Sequence, residues 1–224
     1  IVSRLTTGVK ALVEKSGVTV IRGTAKFTGP KKLVVQSSDG THEIEFEHAV
    51  IATGSRPIEI PPFPIDGKDV ISSTHALDLT EVPKHMMVIG GGLIGLEIGC
   101  YLNRFGTKVT VVEMLDQILP GVDADIVKVM MRELKKRGVA VHTETKATGF
   151  TRKLGTLEVA IEPKDKKPVT VACDKILLAI GRRPNSQDLG LEAAGVKVSD
   201  RGFIPVDAQR RTNVAHIFAI GDIN

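Results

Sequence analysis

Residues 85–113 read HMMVIGGGLIGLEIGCYLNRFGTKVTVVE, and the fold of the whole chain turns on this stretch. Residues 86–89 are a short apolar run, the pattern of a buried strand. Gly90-x-Gly92-x-x-Gly95 follows, with a further glycine at Gly99. Leu93, Ile94, Leu96, Ile98, Tyr101, Leu102 and Phe105 then recur at helical spacing, and Gly106 supplies a helix stop. Residues 108–112 form a second strand ending at Glu113, which lies 18 residues after Gly95.

Each part of this strand, glycine turn, helix and strand has a physical task. Gly90 permits the tight turn out of the strand. Gly92, lacking a Cβ, lets a diphosphate approach the backbone, and Gly95 and Gly99 let the helix pack closely on the sheet. The amides of Gly90, Gly91, Gly92, Leu93, Ile94 and Gly95 surround a helix start whose partial positive charge favours an anion. Glu113 stands where a carboxylate accepts bonds from the hydroxyls of an adenosine ribose, each worth about 1.5–3 kcal/mol. A 2′-phosphate there meets a like charge. The next basic residue along the chain is Lys128, so the sequence points to NAD and not NADP. The glycine motif is weak evidence alone; its setting between two strands with an acidic residue at the right distance makes it specific.

Composition narrows the alternatives. The chain has 224 residues, 42% apolar and 25% charged, with a net charge of +4. These are values of a globular protein. Basic residues are dispersed apart from residues 135–137, and Trp is absent, so there is neither a cationic tract nor a stacking platform for nucleic acid. The apolar stretch 86–96 is too short to span a bilayer and is broken by four glycines, and no signal peptide is visible. Cys100 and Cys173 are far apart and form no metal or redox spacing, which suits buried thiols in a reducing cytoplasm. No metal site is expected.

Before the glycine motif, residues 1–16 place Ile1, Leu5, Val9, Leu12 and Val13 on one helical face ended by Gly17. Short β-like runs follow at residues 18–22, 25–28, 32–36, 42–46 and 48–52, with Asp39-Gly40 as a hairpin turn, giving an antiparallel meander. Prolines at 57, 61, 62 and 64 form a connector, and a domain boundary is expected near residue 66. A helical turn is expected around residues 73–79. After Glu113, Asp123 is the expected N-cap of a helix over 124–137 with Ile126, Val129, Met130 and Leu134 on its apolar side. Residues 139–142 read as a third strand, and 146–152, 157–162 and 169–172 as a second meander. Residues 176–180 read as a buried strand, 196–198 and 204–206 as short strands, and 217–220 as a last strand before Gly221-Asp222.

Two phrases repeat. AVIATGSRP at residues 49–57 and ILLAIGRRP at 176–184 are both apolar strands running into A-x-G-x-R-P, and both follow a meander. One module used twice explains them. The second copy carries its glycine motif at Gly90; at the same offset, that of the first copy would precede residue 1. The chain therefore reads as the middle of a longer protein with two dinucleotide sites.

On these phrases, together with VIGGGLIGLE at 88–97, VTVVE at 109–113, ILP at 118–120 before Asp123, LAIGRRPN at 178–185 and FAIGD at 218–222, the chain resembles the pyridine nucleotide-disulfide oxidoreductase family. The resemblance implies an α/β fold, a Rossmann-like NAD-binding domain (parallel sheet plus antiparallel β-meander) over residues 66–185. That domain would be inserted into a partial FAD-binding domain made of residues 1–65 and 186–224. It implies that Ala147 lies by the adenine, that Gly181 approaches the nicotinamide side, and that Glu97 is the carboxylate near nicotinamide and flavin. Thr53, Gly54 and Ser55 would pass close to FAD, with Asp222 bonding the flavin ribitol and Gly221 admitting the backbone.

The same resemblance implies an electron relay from a dithiol through a redox disulfide and FAD to NAD⁺, in a homodimer that serves 2-oxoacid dehydrogenase complexes. The family's Cys-x-x-x-x-Cys pair, FAD glycine motif and C-terminal interface domain are absent from these residues, so none of them is expected to be catalytic and the chain alone is expected to be inactive. Leu93 departs from the aromatic residue frequent in the family. The alternatives are an NADH oxidase, a soluble transhydrogenase, a mercuric or glutathione-type reductase, or a stand-alone NAD-binding module.

Overall fold

The computed structural model describes residues 2–224 and divides into two compact units, Arg56–Arg183 and a discontinuous unit of residues up to Ser55 together with Pro184–Asn224. In chain order the elements are α1 (Val2–Lys15), β1 (Thr24–Gly29), β2 (Lys32–Ser37), β3 (Gly40–Glu45), β4 (Ala49–Ile51), β5 (Ser55–Pro57), β6 (Val70–Ile71) and α2 (Ser73–Leu77). Then come β7 (His85–Ile89), α3 (Leu93–Arg104), β8 (Lys108–Val112), α4 (Ala124–Lys136), β9 (Ala140–His142), β10 (Thr145–Lys153), β11 (Thr156–Pro163), β12 (Val169–Cys173), β13 (Lys175–Leu178), β14 (Arg182–Pro184) and β15 (Ile217–Ala219).

The unit Arg56–Arg183 is built on a parallel sheet of order β6-β13-β7-β8-β9. The alternation of a strand's side chains sorts this sheet's apolar residues into two layers. Met86, Val88, Val109, Val111, Ile71 and Leu177 point to one face and join Leu96, Ile98 and Leu102 of α3 with Val127 and Leu134 of α4. Met87, Ile89, Val112, Val70, Ile176 and Leu178 point to the other, where Leu157, Val159 and Ile161 of the β10-β11-β12 antiparallel sheet cover them. Both faces are thus buried, which explains why residues 86–89 of β7 and 176–178 of β13 are continuously apolar and not alternating. Glycine sets the helix spacing: a Cβ on Gly95 would meet the Gly90 carbonyl and Val88 Cγ1, and one on Gly99 would meet Val109 Cγ1 at 3.3 Å.

The other unit carries the antiparallel sheet β1-β2-β3, joined by the turn at residues 38–39, and a parallel pair of β4 with β15. Its core gathers Phe27, Ile51, Leu191, Val196, Ile204, Ile217, Ala219 and Ile223.

Several expectations are corrected. The two compact units part between Ser55 and Arg56, and Phe63, fully buried with Val70 and Met87, packs the proline connector into the parallel-sheet unit. The return is at Arg183/Pro184. Residues 18–22, 196–198 and 204–206 are not strands. Val196 and Ile204 are buried, but their amides bond to Leu191 and Ile223 through loops without a ladder. β4 leaves the first meander to pair with β15. On α3, Leu93, Tyr101 and Phe105 are exposed, and Tyr101 and Phe105 meet edge to face on the surface. On α4, Val127, Leu134 and partly Met130 and Met131 pack inward, whereas Ile126 and Val129 are exposed. Asp123 is the N-cap residue of α4, but its side chain makes no cap bond; its carbonyl accepts from Ile126 and Val127. The apolar face of α1 is uncovered: the helix has no buried residue, and Ile1 lies outside the described residues.

Candidate functional site

A crevice of about 740 Å³ opens at the carboxyl ends of β7, β8 and β13. Its position follows from topology. β7 is flanked by β8, reached through α3, and by β13, which returns through the meander, so the connections leave in opposite directions at this point. Such switch points leave a gap between the exiting loops. Ile89 and Gly90 at the end of β7, Glu113 at the end of β8, and Ala179 to Gly181 after β13 line it.

The glycines divide the work by geometry. Gly90 has φ +106°, and a Cβ there would strike the Ala179 carbonyl, so only glycine makes this turn between adjacent strand ends. A Cβ on Gly91 would meet Ile118 Cγ2 at 2.8 Å and Glu113 Cβ at 3.1 Å. Gly92 is the N-cap of α3 and lines the crevice; a Cβ there would enter open space. The first intrahelical bond runs from Leu96 N–H to the Gly92 carbonyl. The amides of Leu93, Ile94 and Gly95 therefore have no intrahelical acceptor.

Glu113 is 8% exposed, yet it lines the same crevice. Its Oε2 accepts the Gly91 N–H at 2.7 Å and its Oε1 accepts the Leu115 N–H at 2.8 Å. The carboxylate therefore ties the glycine turn to the loop after β8. A carboxylate has about four lone-pair sites, so two remain for a ligand's hydroxyls.

Of the other residues expected at a nicotinamide dinucleotide, Leu93, Ile94, Ala147 and Gly181 all line the crevice. Gly181 has φ +130°. Gly91 and Gly95 are buried behind it, and Glu97, one turn beyond Leu93 on α3, is exposed and does not line it. Lys146, the residue before Ala147, was missed: it lines the crevice too. Along the chain no basic residue precedes Lys128 after Glu113, but in space β10 starts against the end of β8, with the Thr145 N–H donating to the Glu113 carbonyl at 2.9 Å. The signal lay in the return of the chain after β9 to the same sheet edge.

The residues expected near the second dinucleotide converge in the discontinuous unit. Because β4 and β15 are parallel neighbours, their exit phrases emerge side by side. Ser55 Oγ donates to Asp222 Oδ2 at 2.6 Å across 167 residues of sequence. Thr53 Oγ1 donates to the Asn185 carbonyl, and Asn185 Nδ2 donates to the Thr53 carbonyl, both at 2.9 Å. Gly54 and Gly221 have φ of +66° and +77°, and a Cβ on either would meet nothing within 4 Å.

The two thiols stand on opposite faces of the parallel sheet. Cys100 packs with the helical layer, and Cys173 with the meander layer. Burial pushes the Cys173 thiol up to about 12. Among the described residues no group of His, Cys, Asp or Glu could hold a metal, and no helix is long and apolar enough to cross a membrane.

Comparison with known proteins agrees with this geometry. The sequence profile of the family described as "Pyridine nucleotide-disulphide oxidoreductase" matches residues 1–224. A dihydrolipoyl dehydrogenase of Vibrio parahaemolyticus is 43% identical over 223 residues, covering 100% of this chain and 47% of that protein. One from Geobacillus stearothermophilus is 42% identical, with 100% and 47% covered. The HOCl-induced flavoprotein disulfide reductase RclA of Escherichia coli, as a Cu(II) complex of a mutant form, superposes with a TM-score of 0.89 at 31% identity, covering 98% of this chain and 49% of that one. LpdA of Mycobacterium tuberculosis does so with a TM-score of 0.89 at 30% identity, covering 99% and 49%. The chain spans about half the length of the curated relatives it matches. With its whole length matched and its doubled strand-to-glycine phrases folded as described, the chain belongs to the pyridine nucleotide-disulphide oxidoreductase family.

Proposed function

We propose that the crevice beside Gly92 and Glu113 holds NAD, that the Thr53–Ser55 and Gly221–Asp222 phrases form part of an FAD site, and that the chain belongs to a dihydrolipoyl dehydrogenase. The observation that carries the proposal is Glu113, a carboxylate that lines a mostly apolar crevice and fastens the glycine turn at 2.7 Å.

The residues present fit the cofactors. A volume of about 740 Å³ is in the range of small-molecule sites. The open space at Gly92 admits a diphosphate to the start of α3, whose free amides favour it. Glu113 retains lone pairs for the adenosine ribose, and Ala147 offers backbone beside an adenine. Gly181 lines the crevice after β13, and Leu93 is an exposed apolar residue on the same lining. In the discontinuous unit, Ser55 fixes the Asp222 carboxylate for a polyol chain, and Gly54 and Gly221 leave their backbones open. When bound, NAD supplies the hydride acceptor and FAD the two-electron carrier between it and a dithiol. This chain's residues bind and orient; no thiol pair among them can serve as the redox disulfide, since Cys100 and Cys173 lie on opposite sides of the sheet.

The whole protein would oxidise dihydrolipoamide with NAD⁺ as a cytoplasmic homodimer within 2-oxoacid dehydrogenase complexes. The names and 42–43% identities of its relatives support that substrate. The test is dihydrolipoamide-dependent formation of NADH by the full-length gene product. Turnover with dihydrolipoamide supports the assignment. Oxidase or transhydrogenase activity without it assigns the chain to another branch of the family.

A further inference from the structure

Lys146 stands on the crevice wall that carries Glu113. The bond from Thr145 N–H to the Glu113 carbonyl starts β10 against the end of β8. Strand alternation then buries Thr145 and leaves Lys146 exposed on the crevice. The nearby charges are partly spoken for: Lys164 Nζ lies 2.6 Å from Glu144 Oε1. Glu162 is the cross-strand neighbour of Lys146. Among the described residues no hydrogen bond or ion pair holds the Lys146 ammonium.

We propose that Lys146 is a second specificity-determining residue of this crevice, an ammonium that takes a phosphate on the ribose 2′-oxygen of an adenine dinucleotide once the charge of Glu113 is removed. This rests on the dinucleotide reading above. Glu113 and Lys146, of opposite charge, both line the crevice, and their surroundings decide which prevails. Glu113 is 8% exposed and fixed by two amides, so its field is weakly screened. Lys146 is exposed on a flexible stem, so water and salt screen it. With Glu113 ionised, repulsion of a 2′-phosphate wins and NAD is preferred. Without that charge, Lys146 is the cation beside position 113 on the wall opposite Arg182's strand end, and a charge-assisted bond from it favours the phosphate.

The experiment measures NADH and NADPH dissociation constants by calorimetry on the full-length gene product with its flavin pre-reduced, with melting curves to confirm folding. Glu113→Gln should shift the NADPH-to-NADH affinity ratio toward NADPH by about tenfold. Adding Lys146→Met should lower NADPH affinity severalfold below that of Glu113→Gln alone and NADH affinity by less, leaving only the part of the shift that comes from removing the Glu113 charge. Lys146→Met in the otherwise unaltered chain removes the ammonium without adding a repelling charge, and should move the ratio severalfold further toward NADH. If the Lys146 variants change both affinities equally, or neither, while NADH still binds, the inference is overturned and the crevice assignment stands. If the unaltered chain binds no NADH, both fall. Should Glu113→Gln not fold, the Lys146→Met single variant decides alone.

Discussion

Replacing Glu113 with alanine separates the two tasks assigned to this carboxylate. It accepts the Gly91 and Leu115 amides at 2.7 and 2.8 Å and is 8% exposed. Amide bonds to a charged acceptor contribute about 1.5–3 kcal/mol each, so the two set an upper bound of roughly 3–6 kcal/mol. Two terms reduce it. The alanine variant no longer keeps an ionised group out of bulk water, and water entering the crevice can serve the stranded amides. A net loss of about 2–4 kcal/mol remains, which for a chain of this size lowers Tm by roughly 5–15 °C. NADH affinity should fall by a further ten- to hundredfold, about 1.5–3 kcal/mol for the lost ribose bonds. Differential scanning fluorimetry and NADH titration at a temperature where the variant is folded measure the two effects separately. An alanine variant that melts within a degree of the parent refutes the claim that the carboxylate secures the glycine turn. One that melts low but binds NADH unchanged refutes the ribose contact.

Gly92→Ala should melt like the parent, because the new Cβ enters open space, yet lose at least about tenfold in NADH affinity by filling the diphosphate's approach. Gly95→Ala should melt lower: its Cβ meets the Gly90 carbonyl and Val88 Cγ1, and overpacking costs about 1–3 kcal/mol in a melt. Burial pushes the Cys173 thiol up to about 12, so at a pH of about 8 it should react with a disulfide reagent only after denaturant is added; rapid native-state labelling of both thiols contradicts its placement. Helix α1 buries nothing, and isolated helices of its length are marginal in water, so its amides should exchange hydrogen far faster than those of β7 and β13.

What the sequence disclosed, and what it hid, follows the range of the interactions. β7, α3 and β8 were legible because strand, turn and helix are each specified within a few residues, and the glycine spacing marks where backbone must approach backbone. The second meander was legible for the same reason: hairpins are local. Apolar residues occur all round α3, so spacing alone gave no face; glycines 95 and 99, read as its packing side, and not Tyr101 or Phe105, mark the side that meets the sheet. Residues 18–22, 196–198 and 204–206 have strand-like composition, but a strand also needs a ladder partner, which local composition cannot show. The same limit hid the pairing of β4 with β15 and the burial of Phe63 within the parallel-sheet unit. At the site, Glu113 was readable by its distance from the motif. Lys146 was not, because it reaches the crevice through a contact between Glu113 and Thr145, far apart along the chain.

The central claim is that a diphosphate-bridged cofactor rests on the amides that begin α3 while Glu113 grips its ribose. Amide-resolved NMR of the 224-residue chain during NADH titration tests it most directly. Saturable shifts centred on residues 90–95, Glu113 and Ala147, weakened in Glu113→Ala and in Gly92→Ala, are expected. A folded chain whose amides at these positions do not move at millimolar NADH contradicts it.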